Sequence, residues 1–154
     1  MGFSFDGISS KSMGIASRMA TENRVPELKN RTISMAGRDG LIDLGASLSE
    51  RVIEISCFIP PKRTMAALLE CKDEIVSWLS PDKGVCALML DTEPGRVYYA
   101  RLQEGVTFER VVRLAATFDL AFFCPDPFGY AAEDEVFTIT EPGNHTVKRT
   151  LGNL

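Results

Sequence analysis

The sequence predicts a mostly β (α+β) domain, an antiparallel β-sandwich with one packed α-helix over residues 64–79. Two observations carry this prediction. Alternation of apolar and polar side chains with a period of two recurs in several short segments, which is typical of half-buried strands. Only one segment has apolar residues at helical spacing. Predicted strands therefore far outnumber predicted helices, and a helix packed on sheet layers is expected.

The first part of the chain supplies three strand candidates of unequal quality. Residues 3–6 alternate, a turn rich in glycine and serine follows, and the chain extends again at Ile15, so we expect these two segments to form an N-terminal hairpin. Residues 28–35 alternate without a clean apolar face, which predicts a strand that is exposed or covered by a partner. Residues 52–59 alternate clearly, and Pro60-Pro61 ends that strand.

The helix prediction rests on its ends as much as on its apolar stripe. Thr64 is of a residue type that caps helix N-termini, and Ser80-Pro81 is a sequence that ends helices. Between them, apolar residues recur near the three- and four-residue spacing of a helix face. Trp78, the only tryptophan, is expected to pin the last turn of the helix to the sheet.

Two further strands are expected around a turn that follows the helix. Residues 85–90 form a continuous apolar run, residues 91–95 are rich in strand-breaking residues, and residues 97–102 should return antiparallel to the first run. Residues 106–113 are then expected to lead directly into the longest strand.

The longest strand is predicted over residues 114–124, where every even position is apolar. Two prolines after it remove backbone donors, and a glycine frees the chain to turn. This structural corner is expected to hold the exit of the chain against the sandwich, and it consists of Pro125, Asp126, Pro127, Phe128, Gly129 and Tyr130. Beyond the corner, one short strand-like run occupies residues 136–140.

Composition and charge exclude several classes of protein. The 154 residues carry a formal net charge of −4, and such an acidic chain is a poor candidate for sequence-specific nucleic-acid binding, which needs clustered cations. No apolar run approaches the roughly 20 residues that span a bilayer, and no secretory signal is recognisable, so neither membrane insertion nor secretion is expected. The four cysteines form no C-x-x-C pair, which favours free structural thiols.

The residues that enzymes use are sparse and badly spaced here. The only histidine is His145, in a polar turn with no nucleophile at a recognisable spacing. Asp39 with Asp43, or Asp91 with Glu93, would have to supply an acid pair, yet acids in such turns more often cap or meet solvent. We therefore expect no catalytic site, no metal and no cofactor, and predict that the protein is not an enzyme.

An ordered set of motifs resembles the N-terminal domain of distal tail proteins from phages with long, non-contractile tails (siphophages) and from related prophages. The set comprises FSFDG at residues 3–7, GRDG at 37–40, the strand at 51–58, YYAR at 98–101 and DPFGY at 126–130. The resemblance covers about residues 1–130, which we expect to be the ring-forming domain. Residues 131–154 resemble the linker toward a galectin-like domain that is absent here, which implies a chain cut short or a short family member.

The resemblance implies a tail-tube-protein-like fold and a structural role. Such a protein would form a hexameric ring, a distal tail or baseplate hub, that connects the tail tube to the tip complex around the DNA channel. The implied partners are five other copies of the chain, the major tail tube protein, a tail-tip hub or tail-associated lysin protein, and the tape measure protein. The implied location is the virion tail tip, after assembly in the host bacterial cytoplasm.

Two questions remain open from the sequence. Arg38 and Asp39, in a compact charged turn, are candidates for an inter-subunit ion pair or for a local salt bridge within the turn. The alternative function is a carbohydrate-binding β-sandwich module. It would need aromatic side chains exposed on one face, and Trp78, Tyr98 and Tyr99 are its candidates.

Overall fold

A computed structural model describes residues 2–19, 25–133 and 146 of the chain. The helix α1 spans Met65–Trp78, and a short 3-10 helix follows at Pro81–Lys83. The strands, in chain order from β1 to β11, are Phe3–Phe5, Ile8–Ser9, Ala16–Met19, Leu28–Ile33, Ile42–Leu48, Arg51–Ile59, Cys86–Leu90, Arg96–Leu102, Glu109–Val112, Ala115–Cys124 and Tyr130–Ala131.

The described strands form one large antiparallel sheet and one separate hairpin. The large sheet has the order β2-β1-β7-β8-β10-β6-β3, with β9 paired to β10 and β11 paired to β8. Strands β4 and β5 pair with each other in a sheet of their own. The predicted fold class, mostly antiparallel β structure with one helix, is confirmed.

The large sheet curves until its two halves face each other. Strands β1 and β10 are three positions apart in the strand order, which would separate them by about 14 Å in a flat sheet. Yet the rings of Phe5 on β1 and Phe122 on β10 lie 5.2 Å apart between centroids. The sheet therefore folds over on itself and encloses a core between its halves, which gives the protein its sandwich-like section.

The two longest strands form the centre of the core. Strands β6 and β10 pair from Ala116 opposite Ile59 to Cys124 opposite Arg51, and every second residue of each strand is buried. The burial follows the alternation in the sequence, because successive side chains of a strand point to opposite faces. The expected strands at residues 52–59, 85–90, 97–102 and 114–124 are all present within a residue or two.

The helix begins and ends where its sequence predicts. The Thr64 hydroxyl accepts a hydrogen bond from the backbone N–H of Ala67 at 3.2 Å, which satisfies one donor of the first turn. At the other end, the Trp78 indole donates to the backbone oxygen of Phe5 at 2.9 Å and stacks on Phe3 with ring centroids 5.5 Å apart. Trp78 thus pins the last turn to β1, as expected.

Two strand predictions were wrong in their connections. Residues 109–112 do not run on into β10 but fold back to pair with it, and a register shift between Ala115 and Ala116 accommodates the turn. The sequence there has no glycine or proline, so it gives no sign of a reversal. The chain after Ile15 also joins β6 in the far half of the sheet, and the N-terminal hairpin is closed by the short β2 instead. The strand-like run at 136–140 lies outside the described residues.

Candidate assembly surfaces

The hairpin of β4 and β5, residues 28–48, is called the arm below. Leu28 lies opposite Leu48 at its base and Ile33 opposite Ile42 near its tip. A bulge interrupts the pairing, with Gly45 at φ 94° and the Asp43 carboxylate accepting a hydrogen bond from the Gly45 N–H at 2.9 Å. A glycine in this left-handed conformation is typical of a bulge that lets a hairpin twist.

The arm exposes far more apolar surface than a self-sufficient element would. Every residue of β4 is exposed. Five large apolar side chains of the arm are each about half or more exposed: Leu28, Ile33, Met35, Leu41 and Leu44. A two-stranded hairpin without further cover is at best marginally stable in water, and clustered apolar exposure marks an interaction surface. The arm is therefore the clearest candidate for an assembly contact in the described part of the chain.

Arg38 and Asp39, the residues predicted to serve an interface, lie at the tip of the arm. Both are exposed. The turn is shaped by Gly37 and Gly40, which adopt φ values of 78° and 85°. Among residues 2–19 and 25–133, neither charged side chain takes part in an ion pair, so the local salt bridge considered from the sequence is not formed. Both charges remain available to a neighbouring molecule.

The corner at residues 125–130 is organised by Asp126. One of its carboxylate oxygens accepts from the backbone N–H of Phe128 at 3.1 Å, and the other accepts from the Tyr130 hydroxyl. That hydrogen bond raises the pKa of Tyr130, because it holds the proton on the phenol. Tyr130 then begins β11 and contacts Tyr99 edge-on, with ring centroids 5.7 Å apart. Phe128 is half-buried beside it.

The corner packs on the ring of Tyr98, whose position is fixed by burial and by two hydrogen bonds of its hydroxyl group. Tyr98 is 1% exposed. Its hydroxyl donates to the Glu93 carboxylate and accepts from the Arg51 guanidinium at 3.3 Å. Burial is the main cause that raises the pKa of Tyr98, and the bond to Glu93 adds to it. Gly129 lies so close to this ring that an added Cβ would meet it at 3.0 Å.

We expect Gly129→Ala to destabilise the protein by about 1–3 kcal/mol, the usual cost of overpacking a filled site. The new methyl group meets a buried ring that its hydrogen bonds prevent from moving aside. Urea unfolding measures the change. Gly105→Ala is the matched control, because a Cβ there meets nothing within 4 Å. An equal effect of the two substitutions would contradict the close packing of Gly129 on Tyr98.

Three of the four acidic residues considered for catalysis are held by separate partners. Asp91 accepts from the Lys11 ammonium at 2.5 Å, which lowers the pKa of Asp91. The Glu93 carboxylate accepts a hydrogen bond from the Tyr98 hydroxyl, and the Asp43 carboxylate accepts one from the backbone N–H of Gly45 in the arm bulge. Across the residues described, no group of three His, Cys, Asp or Glu side chains is placed to hold a metal ion. His145 lies outside the described residues.

Two open grooves lie on the outer side of β6 and β10, with volumes of about 370 and 320 Å³. Ser56 and Asp119 border both grooves, and Cys57 borders the larger one. Burial raises the pKa of the Cys57 thiol to about 12, so this sulfur is protonated and a poor nucleophile at neutral pH. These grooves provide no activated nucleophile.

We expect the cysteines to react at very different rates with a thiol reagent at pH 8. Burial raises the pKa of Cys124 to about 11 as well, so neither Cys124 nor Cys57 supplies thiolate at that pH. Cys86, which is only partly buried, should be modified first. Mass spectrometry of the modified peptides gives the order. Equally rapid modification of Cys57 and Cys86 in the folded protein would contradict the buried, protonated state of Cys57.

The three aromatic side chains considered for a carbohydrate-binding face do not share one exposed surface. Trp78 is 4% exposed, and Tyr98 is covered by the corner. Of the three candidate aromatics, only Tyr99 reaches the surface. Exposure was wrongly expected for Trp78 and Tyr98, because the sequence pattern does not distinguish an aromatic ring that packs inward at a strand or helix end from one that faces solvent.

The single α-helix in the described residues offers no membrane-spanning segment, since it is neither long nor apolar enough to cross a bilayer.

Comparison with known proteins relates this geometry to phage tails. A sequence profile for the phage tail protein RIFT-related domain matches residues 8–124. The fold is similar to the crystal structure of Dit (gp 19.1) of phage SPP1, described there as a paradigm of hub adsorption apparatus in phages that infect Gram-positive bacteria. The TM-score is 0.69 at 22% sequence identity, covering 84% of this chain and 51% of that chain.

This chain thus spans about half the length of the SPP1 protein. No curated protein matches the sequence. The resemblance to tail proteins stated from the motifs is confirmed by the profile and by the fold. Because the profile covers most of the chain, the protein belongs to the family of phage tail proteins with a RIFT-related domain.

Proposed function

We propose that this chain is a distal tail protein that forms a hexameric ring at the tip of a phage tail, as a structural component without catalysis. The observation that carries the proposal is the arm, an exposed apolar hairpin on a domain of the phage tail family. The exposed apolar side chains of the arm would be stabilised by burial, and in a ring a neighbouring copy of the same chain would bury them. The similarity of the fold to SPP1 Dit supports the distal tail assignment.

The ring would connect the tail tube to the tip complex and leave an axial channel. Its partners would be the major tail tube protein on one side, and a tail-tip hub or tail-associated lysin protein on the other. The tape measure protein, and later DNA, would pass through the channel. A net charge of −4 per chain fits a channel that does not retain DNA, because like charges repel.

We assign the ring to residues 1–130 and treat residues 131–154 as the segment that leads away from it. The corner fits this assignment. Gly129 packs on the ring of Tyr98, and the next residues along the chain form β11, which pairs with β8 and so fixes the position of the chain. Arg38 and Asp39 would lie in the ring interface because the arm presents them at its tip. The protein would assemble in the host bacterial cytoplasm and remain at the virion tail tip.

Electron microscopy of the purified protein, alone and mixed with its tail tube protein, tests the proposal. We expect closed rings of six subunits that also cap the end of tubes. Native mass spectrometry supplies the subunit count from the chain mass of 17.0 kDa. A protein that stays monomeric at all concentrations, and remains so beside the tube protein, would contradict the proposal.

A further inference from the structure

Arg51 is a buried cation at a junction between separate parts of the fold. Within the part of the chain that the structure describes, it is the only charged side chain that is buried, at 5% exposed. Only Ser49 and Glu50 separate it from Leu48, the last residue of the arm. It also pairs with Cys124, the last residue of β10 before the corner. The base of the arm and the start of the corner therefore meet at Arg51.

The Arg51 side chain extends from this junction to the ring on which the corner packs. Its guanidinium lies over the Tyr98 ring, 5.2 Å from the centroid, and donates to the Tyr98 hydroxyl at 3.3 Å. The same hydroxyl donates to the Glu93 carboxylate. The opposite neighbour of the ring is Gly129 of the corner. These three hydrogen-bonded side chains are called the junction network below: Arg51, Tyr98 and Glu93.

The turn that carries Glu93 also holds the chain where it leaves the corner. The Arg96 guanidinium lies 3.9 Å from the Glu93 carboxylate, and Arg96 is the β8 residue opposite Ala131 of β11. The backbone N–H of Ala132 donates to the oxygen of Gly95 in the same turn at 2.9 Å. The junction network is thus connected at one end to the base of the arm and at the other to the exit of the chain.

A buried ion is a poor source of stability. Moving a charge from water into the interior costs free energy that its hydrogen bonds only partly return. Replacing such a group and its partner by apolar side chains of similar size is therefore often neutral or stabilising. Directional hydrogen bonds nevertheless restrict the groups that make them to few arrangements, so a buried polar network can specify one geometry. The expected contribution of the junction network is therefore to orientation rather than to stability.

We propose that the junction network is a positioning device, which fixes the direction of the chain exit relative to the base of the arm. Arg51 follows the arm directly, and its side chain reaches the ring under the corner, so one residue determines the geometry at both places. A fixed angle between arm and exit would direct the segment beyond residue 130 in the same way in every copy. The device belongs to each folded chain and does not require assembly.

Two variants separate positioning from stability. Tyr98→Phe keeps the ring and removes the hydroxyl that joins Arg51 to Glu93, so a buried cation loses an acceptor and the urea midpoint should fall. Adding Arg51→Met removes that cation as well. The midpoint of the double variant should return to within about a tenth of the unaltered value, because both polar partners are then apolar. Glu93 keeps its contact with Arg96 in both variants.

Amide hydrogen exchange measures the loss of orientation in the stable double variant. Two amides report on the two ends of the junction network. The Ala132 N–H bonds to Gly95 beside the corner, and the Ser49 N–H bonds to Glu27 at the base of the arm. Both should exchange at least about tenfold faster than in the unaltered protein, because local opening no longer breaks the network. Amides of β6 and β10 should keep their rates.

The matched control is Tyr99→Phe with Arg101→Met, which removes a hydroxyl and a guanidinium from the exposed side of β8. Arg101 also lies over an aromatic ring, that of Phe123, at 4.8 Å from the centroid. This control should leave exchange at Ala132 and Ser49 unchanged. A stable Arg51→Met, Tyr98→Phe variant with slow exchange at both amides would overturn the proposal. Loss of stability with faster exchange at every amide would overturn it too, since the network would then serve stability alone. Neither result bears on the ring, which electron microscopy tests separately.

Discussion

Replacement of Phe122 by alanine is expected to lower the free energy of unfolding by about 3–5 kcal/mol, the range for a large aromatic residue removed from a core. Phe122 is fully buried and contacts the rings of both Phe3 and Phe5. These contacts join β10 to β1 across the interior. The substitution therefore opens a cavity at the point where the two halves of the sheet meet.

The effect is large compared with the stability of a domain of this size, which is typically about 5–15 kcal/mol. Urea unfolding followed by the fluorescence of Trp78, the only tryptophan, measures it because that side chain packs on Phe3. Phe58→Ala on β6 is the control, since Phe58 is partly exposed on the outer face. A loss for Phe122→Ala no greater than for Phe58→Ala would show that the sheet does not close over Phe122.

Replacement of both Ile33 and Leu44 by aspartate is expected to abolish ring formation while the folded monomer survives. Both side chains are about half exposed on the arm. The arm strands pair with each other and not with the large sheet. Substitutions at exposed positions usually change stability by less than about 0.5 kcal/mol each. The substitutions should therefore impair assembly rather than folding, because the arm no longer offers an apolar surface to a neighbouring subunit.

Sedimentation velocity gives the assembly state of this variant, and urea unfolding shows whether its fold is intact. The matched control is Val111→Asp with Val112→Asp, which places the same charges on two exposed aliphatic residues of β9. That control should still form rings. A ring that still forms with aspartate on the arm, or that is lost equally in the control, would contradict a role of the arm in assembly.

The core of the fold was predictable because one strong physical signal specifies it. In β6 and β10 nearly every second residue is apolar, and Glu54, Ser56 and Asp119 mark the opposite face as the outer one, so the pattern selects one buried face for each strand. The helix was equally clear, since Thr64 and the residues after Leu79 supply recognised start and stop signals. Local pattern decides these elements, and tertiary packing agrees with it.

Connections and partners were less predictable because no local signal encodes them. The reversal between β9 and β10 uses neither glycine nor proline, and the destination of β3 depends on how the whole sheet curves. The absence of a clean apolar face in residues 28–35 did indicate an unusual strand. The structure explains this pattern, because β4 pairs with β5 alone and is exposed along its whole length.

A cryo-electron microscopy map of the assembled protein, at a resolution that shows side chains, tests the central claim most directly. The account predicts a closed ring in which the arm of every subunit lies on a neighbouring subunit, with Ile33 and Leu44 buried in that contact. Arms that extend freely into solvent, or fold back on their own subunit within the ring, would contradict it.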